Sequence, residues 1–154
     1  MKLSDLVCVD AIIPELEAAD RDGVISELIG ALERAGKISK ANIITRAVIK
    51  RENETSTGVG KGVAVPHVKH KEISEVMVTV GGKSDGIDFS SLDKQPVYSV
   101  ILLLSPVDNP EKHLQAMESI FKNLQNDDFR RFLRQARTVE QFKDVIAESH
   151  ENNP

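Results

Sequence analysis

Residues 97–104 read VYSVILLL, the most apolar stretch among the predicted strands and the strongest indication of the fold. Apart from one serine, it is an almost unbroken run of apolar and aromatic residues, which is typical of a buried β-strand. Successive side chains of a strand point to opposite faces of the sheet, so both faces beside this run have to be covered. The stretch therefore predicts the central strand of an α/β fold, with a mixed β-sheet sandwiched between helices on both faces.

Further strands and helices are predicted on both sides of this run. Shorter strands are expected at 63–65 and 76–80, with an irregular edge strand at 12–16 that contains Pro14. Helices are predicted where apolar residues recur every three or four positions. They are a helix N-capped by Asp20 that ends at Ala35 before Gly36, residues 40–50 capped by Ser39, residues 111–124, a short helix opened by Asp127 and Asp128, and a last helix capped by Thr138. The turn-forming residues 52–61 are predicted to be a loop.

Composition predicts a single domain over residues 1–150, followed by a frayed tail at 151–154. The 20 basic and 24 acidic residues are spread along the chain, so no nucleic-acid partner is expected. Cys8 has no partner for an internal disulfide, and no apolar run approaches the roughly 18 to 20 residues of a membrane span. Asp5 and Asp10 interrupt the apolar start, which argues against a secretory signal. We expect a cytoplasmic protein without membrane insertion.

The most unusual local sequence is GVGKGVAVPH at residues 58–67, because three glycines, a short apolar strand and a proline precede His67. The proline fixes its own φ and restricts Val65 to extended geometry. His67 is thereby held at the end of a strand, where ligands tend to bind in α/β sheets. The other three histidines give weaker signals: His70 and His150 are expected in solvated positions, and a helical histidine such as His113 is more often a packing or surface residue.

Several chemistries for His67 fit the sequence poorly. A zinc site needs three or four ligands, and the spacing of the nearby histidines and acids does not supply them. The glycine pattern precedes a strand rather than a helix, which argues against nucleotide binding. A hydrolase would need a serine or cysteine nucleophile on a turn, and GVAVPH has none. The remaining option is a histidine that accepts a phosphoryl group, with Arg51 as a charged donor and Thr55, Ser56, Thr57 and the glycine amides as neutral donors.

The run from Arg51 to His67 closely resembles the signature around the phosphorylated histidine of type-2 enzyme IIA (EIIA) proteins of the bacterial phosphoenolpyruvate-dependent phosphotransferase system (PTS). This is the fructose, mannitol and nitrogen-regulatory class. The resemblance covers nearly the whole chain and includes LSDL near the start, DFSSLD at 88–93, LLLSP at 102–106 and EKHL at 111–114.

The resemblance implies that His67 is the phosphoryl acceptor, that His113 is the second active-site histidine and that Arg51 lies beside them. It also implies support for the phosphate and its loop from Ser56, Thr57, Gly58, Gly60 and Gly62. The implied donor is a small phosphocarrier, the HPr of the family, and neither a cofactor nor a metal is required.

Residue 68 departs from the family pattern, which usually has glycine directly after the active histidine. Val68 is β-branched and cannot easily take a positive φ. We expect ordinary β geometry with the methyl groups pointing inward. The alternative is a weakened site that is kept for regulated binding.

Two functions of different classes remain open at this stage. The first is a regulator of the nitrogen type, whose phosphorylation state changes its affinity for target proteins. The second is a sugar-specific EIIA that passes the phosphoryl group to a fructose- or mannitol-type EIIB for uptake. The alternative to both functions is a binding scaffold that is only weakly phosphorylated. The absence of a fused EIIB or membrane segment in this sequence favours the regulator.

Overall fold

The sheet is organised around one long central strand, as residues 97–104 predict. The computed structural model describes residues 2–91 and 93–148. In chain order the elements are α1 (Leu3–Leu6), a 3-10 turn (Val9–Ala11), α2 (Arg21–Arg34), α3 (Ala41–Glu54), β1 (Gly58–Gly60), β2 (Val63–Ala64), β3 (His67–His70), β4 (Met77–Ile87), β5 (Val97–Pro106), α4 (Pro110–Leu124), α5 (Asp127–Gln135) and α6 (Val139–Ala147).

Strand β5 pairs on both of its edges. On one side it is antiparallel to β4, and on the other it is parallel to β2 and β3. Strands β2 and β3 lie end to end in one register, because Val63 pairs with Ser99 and His67 pairs with Leu103. The short β1 is antiparallel to β2 at the edge. The sheet is therefore mixed, as predicted.

The two faces of β5 belong to two separate apolar clusters. Val100, Leu102 and Leu104 pack into the cluster that contains the buried residues of α2 and α3. Ile101 and Leu103 pack into the other cluster, together with buried residues of α1, α4, α5 and α6. This alternation confirms that the sheet is sandwiched between helices.

Most of the predicted helix boundaries are confirmed by the capping bonds. The carboxylate of Asp20 accepts the backbone N–H of Gly23 at 2.7 Å, and Thr138 Oγ1 accepts that of Gln141 at 3.1 Å. Gly36 follows the end of α2 with φ +76°, a left-handed conformation that glycine adopts without strain. The predicted Ser39 cap is wrong, because α3 begins one residue later with Lys40 at its N-cap.

Three local predictions need correction. Residues 52–61 are only partly a loop, because 52–54 complete the last turn of α3 and 58–60 form β1. The edge strand at 12–16 is reduced to one bridge between Ile13 and Gly81, since the chain bends at Pro14. The stretch HVKH forms β3, although His70 was expected in a solvated loop. The polar residues of β3 give no apolar pattern that predicts a strand. This is because β3 lies at the edge of the sheet, where side chains are only partly covered.

Within residues 2–91 and 93–148, every helix is too short or too polar to cross a bilayer. His150, the proposed boundary at residue 150 and the proposed frayed tail at 151–154 lie outside the described residues.

Candidate active site

Three side chains that the sequence analysis singled out meet where β2 ends and β3 begins. His67 is the first residue of β3, Arg51 lies in the last turn of α3, and His113 lies in the first turn of α4. The ring centroids of His67 and His113 are 5.8 Å apart, and the ring planes are tilted by 46°. Nη2 of Arg51 lies 3.3 Å from Nε2 of His67. The two helices come from opposite faces of the sheet, so the site forms where both layers reach the same strand end.

The hydrogen bonds of His67 define its protonation. Nδ1 lies 2.7 Å from the carbonyl oxygen of Val65, and since a carbonyl only accepts, Nδ1 carries the proton. The lone pair of the neutral ring is then on Nε2, which accepts from Arg51. Burial is the main cause that lowers the pKa of His67; the Val65 carbonyl opposes this effect, and the charge of Arg51 adds to it. The ring is therefore neutral near pH 7, with an unprotonated Nε2 that has the lone pair a nucleophile requires.

His113 is also neutral but is more deeply placed, with 9% of its surface exposed. Its Nδ1 lies 2.7 Å from Oγ of Ser105, a fully buried serine near the end of β5. Burial is the main cause that lowers the pKa of His113 to about 4, and the positive charges of a protonated His67, of Lys69 and of Arg51 contribute to the same shift. This imidazole is thus fixed by Ser105 and can hydrogen-bond a reacting group without carrying a charge.

The hydroxyl groups of Ser56 and Thr57 are engaged within the loop. Ser56 Oγ donates to the carbonyl of Phe89 at 2.7 Å and accepts the N–H of Gly58 at 3.0 Å. The Thr57 hydroxyl donates to Glu52 at 2.6 Å. These bonds shape the segment that leads to His67, and none of the three is made with the imidazole of His67 or His113.

The glycines before His67 allow backbone approaches that a side chain would prevent. A Cβ at Gly58 would lie 2.3 Å from Oγ of Ser91, so the two segments could not pack as they do. Gly60 has φ +92°, in the left-handed region that favours glycine. The carbonyl of Gly62 accepts the N–H groups of Tyr98 and Ser99, which fastens the turn to β5. The structure thus places all three glycines at points of close packing or positive φ in the segment before His67.

Val68 has the ordinary geometry that was expected of it. It lies in β3 opposite Leu104 and packs against the apolar cluster of the α2 and α3 face. His70, two residues later, is half-buried, and its Nδ1 accepts the N–H of Glu72 at 3.0 Å. Its contact is structural and lies away from the paired imidazoles.

Three residues near the site were not predicted. Ser105 was visible as a polar residue in an otherwise apolar strand, a pattern that marks a buried hydrogen bond. Lys69 is two residues after His67 on the same strand face, pairs with Ser105 across the sheet, and carries a charge that acts on both histidines. Glu52 gave no signal, because a glutamate in a polar stretch is usually solvated, whereas this one is 2% exposed.

With this geometry established, comparison with known proteins identifies the class. Residues 6–149 match the family model described as phosphoenolpyruvate-dependent sugar phosphotransferase system, EIIA 2. The chain belongs to this family, whose members are phosphoryl-transferring proteins, and the resemblance inferred from the sequence is confirmed.

The relatives include sugar-specific and regulatory proteins. The chain is 30% identical over 146 residues to the fructose-specific EIIA component of Haloferax volcanii, which covers 95% of both chains. It is 33% identical over 148 residues to a nitrogen regulatory protein of Bradyrhizobium diazoefficiens, covering 96% of this chain and 95% of the relative. It is 30% identical to the fructose-specific EIIABC component of Bacillus subtilis, where the match covers 95% of this chain but only 23% of that much longer protein.

Solved structures share the fold. The nitrogen regulatory protein IIA-Ntr of Neisseria meningitidis superposes with a TM-score of 0.84 at 22% identity, covering 94% of this chain and 98% of that one. The mannitol enzyme IIA of Escherichia coli, in its complex with phosphorylated enzyme IIB, gives a TM-score of 0.77 at 20% identity, covering 92% and 99%. These likenesses confirm the α/β architecture with helices on both faces of the sheet.

Proposed function

We propose that this protein accepts a phosphoryl group on Nε2 of His67 from an HPr-like phosphocarrier and acts as a regulator of the nitrogen type in the cytoplasm. The observation that carries the proposal is the pair of contacts on one imidazole. Nδ1–H donates a hydrogen bond to the carbonyl oxygen of Val65, and the unprotonated Nε2 lies 3.3 Å from the guanidinium of Arg51.

The transfer step balances without a change in protonation of His67. The P–N bond of the donor phosphohistidine breaks, and its electron pair returns to the donor nitrogen. The lone pair of His67 Nε2 forms the new P–N bond, while Nδ1 keeps its proton and its hydrogen bond to the Val65 carbonyl. Because one P–N bond replaces a similar one, catalysis rests on alignment and on stabilising the charge of the phosphoryl oxygens.

Arg51 and His113 stabilise the phosphoryl oxygens in different ways. The guanidinium of Arg51 supplies a positive charge and planar donors for phosphoryl oxygens beside Nε2. His113 is neutral and held by Ser105. It can therefore donate a hydrogen bond to the phosphoryl group without placing a second positive charge near Arg51. Both lie close to the ring of His67, His113 at 5.8 Å between ring centroids and Arg51 at 3.3 Å from Nε2, so both can reach a group that binds there.

The loop residues act through the shape of the site. Ser56 and Thr57 hold the segment before His67 by their bonds to Phe89 and Glu52. The close backbone packing at Gly58, Gly60 and Gly62 leaves room for a partner protein to bring its phosphohistidine into line with Nε2.

Regulation is favoured by the nitrogen regulatory relative, which matches over nearly the full length of both chains. A phosphoryl group adds a charge of about −1.5 to −2, which is enough to change the affinity of a protein surface for a target. The partners are therefore an HPr-like donor and a target protein that distinguishes the two states.

A sugar-specific role is the second candidate, and the fructose-specific EIIA relative of matching length favours it. In that case the phosphoryl group would pass to an EIIB domain, as the complex of the mannitol enzyme IIA with phosphorylated IIB suggests by analogy.

One experiment separates the candidates. The purified protein is phosphorylated with phosphoenolpyruvate, enzyme I and HPr, and then mixed with fructose- or mannitol-type EIIB. Retention of the label, with different proteins captured by the two phosphorylation states, supports the regulator. Rapid transfer to EIIB supports the sugar-specific role, and a protein that takes up no label is a binding scaffold.

A further inference from the structure

A buried carboxylate lies one residue after Arg51, and the roles proposed above do not use it. Glu52 Oε2 accepts the backbone N–H of Thr57 at 2.6 Å, and Oε1 accepts the Thr57 hydroxyl at 2.6 Å. None of the ion pairs formed by residues 2–91 and 93–148 involves this carboxylate. Burying a charge in this way is costly unless hydrogen bonds compensate. Both oxygens of Glu52 are therefore committed to Thr57.

Thr57 is connected to the imidazole of His67 by two further hydrogen bonds. The carbonyl of Thr57 accepts the N–H of Val65 at 3.0 Å. The carbonyl of the same Val65 accepts the Nδ1 proton of His67 at 2.7 Å. The N–H of Val65 is thus held by Thr57, which Glu52 fixes. The carbonyl of Val65 in turn orients the ring of His67.

The other ring nitrogen is reached from the same helical turn. Arg51, the immediate neighbour of Glu52 in α3, lies 3.3 Å from Nε2. The contacts therefore form a closed circuit that runs from α3 through Thr57 and Val65 to Nδ1, and returns from Nε2 to α3. Movement at either end changes the orientation of the ring relative to the guanidinium.

We propose that Glu52 is a positioning residue for phosphoryl transfer, because through Thr57 and Val65 it keeps the proton of His67 on Nδ1 and Nε2 free toward Arg51. The role in transfer rests on the function proposed for His67, but the tautomer can be measured without a phosphoryl donor. The charge of Glu52 also raises the pKa of His67 and so opposes the effect of Arg51.

Two substitutions separate the hydrogen bonds from the charge. Glu52→Gln retains an oxygen for the Thr57 N–H and an amide group for the rotatable Thr57 hydroxyl, but removes the charge. Glu52→Ala removes both bonds. Glu54→Ala is the matched control, because Glu54 is an exposed carboxylate in the same turn of α3. The readouts are the ¹⁵N shifts of the His67 ring at pH 8, the transfer rate from phosphorylated HPr and the thermal stability.

We expect wild type, Glu54→Ala and Glu52→Gln to keep the proton on Nδ1. Glu52→Ala is expected to show mixed tautomers and a transfer rate at least about 10-fold lower, with Glu52→Gln recovering most of that rate. A folded Glu52→Ala protein with the Nδ1 tautomer and the rate intact would overturn the proposal, as would a loss of stability alone.

If Glu52→Ala does not fold, Thr57→Val serves as the second variant, because it removes only the hydroxyl bond to Glu52. A partial shift of the tautomer and a lower rate are expected, and no change in either overturns the proposal. A wild-type protein with the Nδ1 tautomer that never takes up phosphate on His67 would instead overturn the proposed function.

Discussion

The imidazoles of His67 and His113 lie 5.8 Å apart on separate elements, one opening β3 and the other in the first turn of α4. Neither ring is held by the other. His67 is oriented by the backbone of Val65, and His113 by the hydroxyl of Ser105. The space between them is therefore bounded by two independently fixed rings, with Arg51 at one side.

Removing the second histidine should slow transfer without changing the acceptor. We expect His113→Ala to lower the rate from phosphorylated HPr by about 100-fold, as for the loss of one donor to a developing charge. The label should still be found on His67. Ser105→Ala, which frees the ring of His113 without deleting it, should have a smaller effect. Rapid-quench kinetics measure both rates, and equal rates in all three proteins would contradict the role given to His113.

The guanidinium of Arg51 should contribute both charge and geometry. Arg51→Ala is expected to lower the transfer rate by about 100-fold. Arg51→Lys should fall between that variant and wild type, because lysine keeps the charge but lacks the planar fork of donors. The same kinetic assay applies, with Lys50→Ala as the control for loss of a neighbouring charge on α3. A fully active Arg51→Ala protein would show that the contact with Nε2 has no role in transfer.

Acid should destabilise the folded state through the two buried imidazoles. The pKa of His113 falls from its ordinary value of about 6.5 to about 4 on folding, and that of His67 is lowered too. The unfolded chain then binds more protons than the folded one in this window. The contribution of these two histidines to the free energy of unfolding is therefore fully present above pH 6.5. It is lost progressively as the pH falls toward 4.

Urea unfolding between pH 7.5 and 4 measures this decrease. His113→Gln should show a shallower fall than wild type between pH 6.5 and 4, since only the His67 contribution of the pair remains. Parallel curves for the two proteins would mean that His113 does not titrate as its burial requires.

Restoring glycine at position 68 tests whether the departure from the family pattern weakens the site. Because Val68 packs on the α2 and α3 face, Val68→Gly should lower the free energy of unfolding by about 2 kcal/mol. The transfer rate should stay within about threefold of wild type, which is less than about 1 kcal/mol of barrier. Denaturant unfolding and the transfer assay measure the two effects. A large gain in rate would instead support the reading of a weakened site.

The features that the sequence predicts well are those with local patterns. The run VYSVILLL predicts β5, and the Asp20 and Thr138 caps lie at their helix starts because such signals act within one turn. The strand HVKH was missed because its side chains are only partly covered, so no apolar alternation remains.

In the site, too, some residues are predictable from the sequence and some contacts are not. His67, Arg51 and His113 are found together, as the resemblance implies. The partnership of Ser105 with His113 and of Glu52 with Thr57 depends on which polar groups are buried. Burial is a property of the packed layers: the apolar strand around Ser105 marks a buried polar group but does not name its partner, and Glu52 has no local pattern that reveals its burial.

The atom that becomes phosphorylated decides whether His67 is the phosphoryl acceptor. The protein is incubated with phosphoenolpyruvate, enzyme I and HPr, and the product is examined by ³¹P and ¹⁵N NMR under alkaline conditions, with His67→Ala and His70→Ala in parallel. The assignment of His67 as the acceptor predicts one phosphoryl group on its Nε2, unchanged in His70→Ala and absent in His67→Ala. A phosphoryl group on His113, or uptake that persists in His67→Ala, would contradict it.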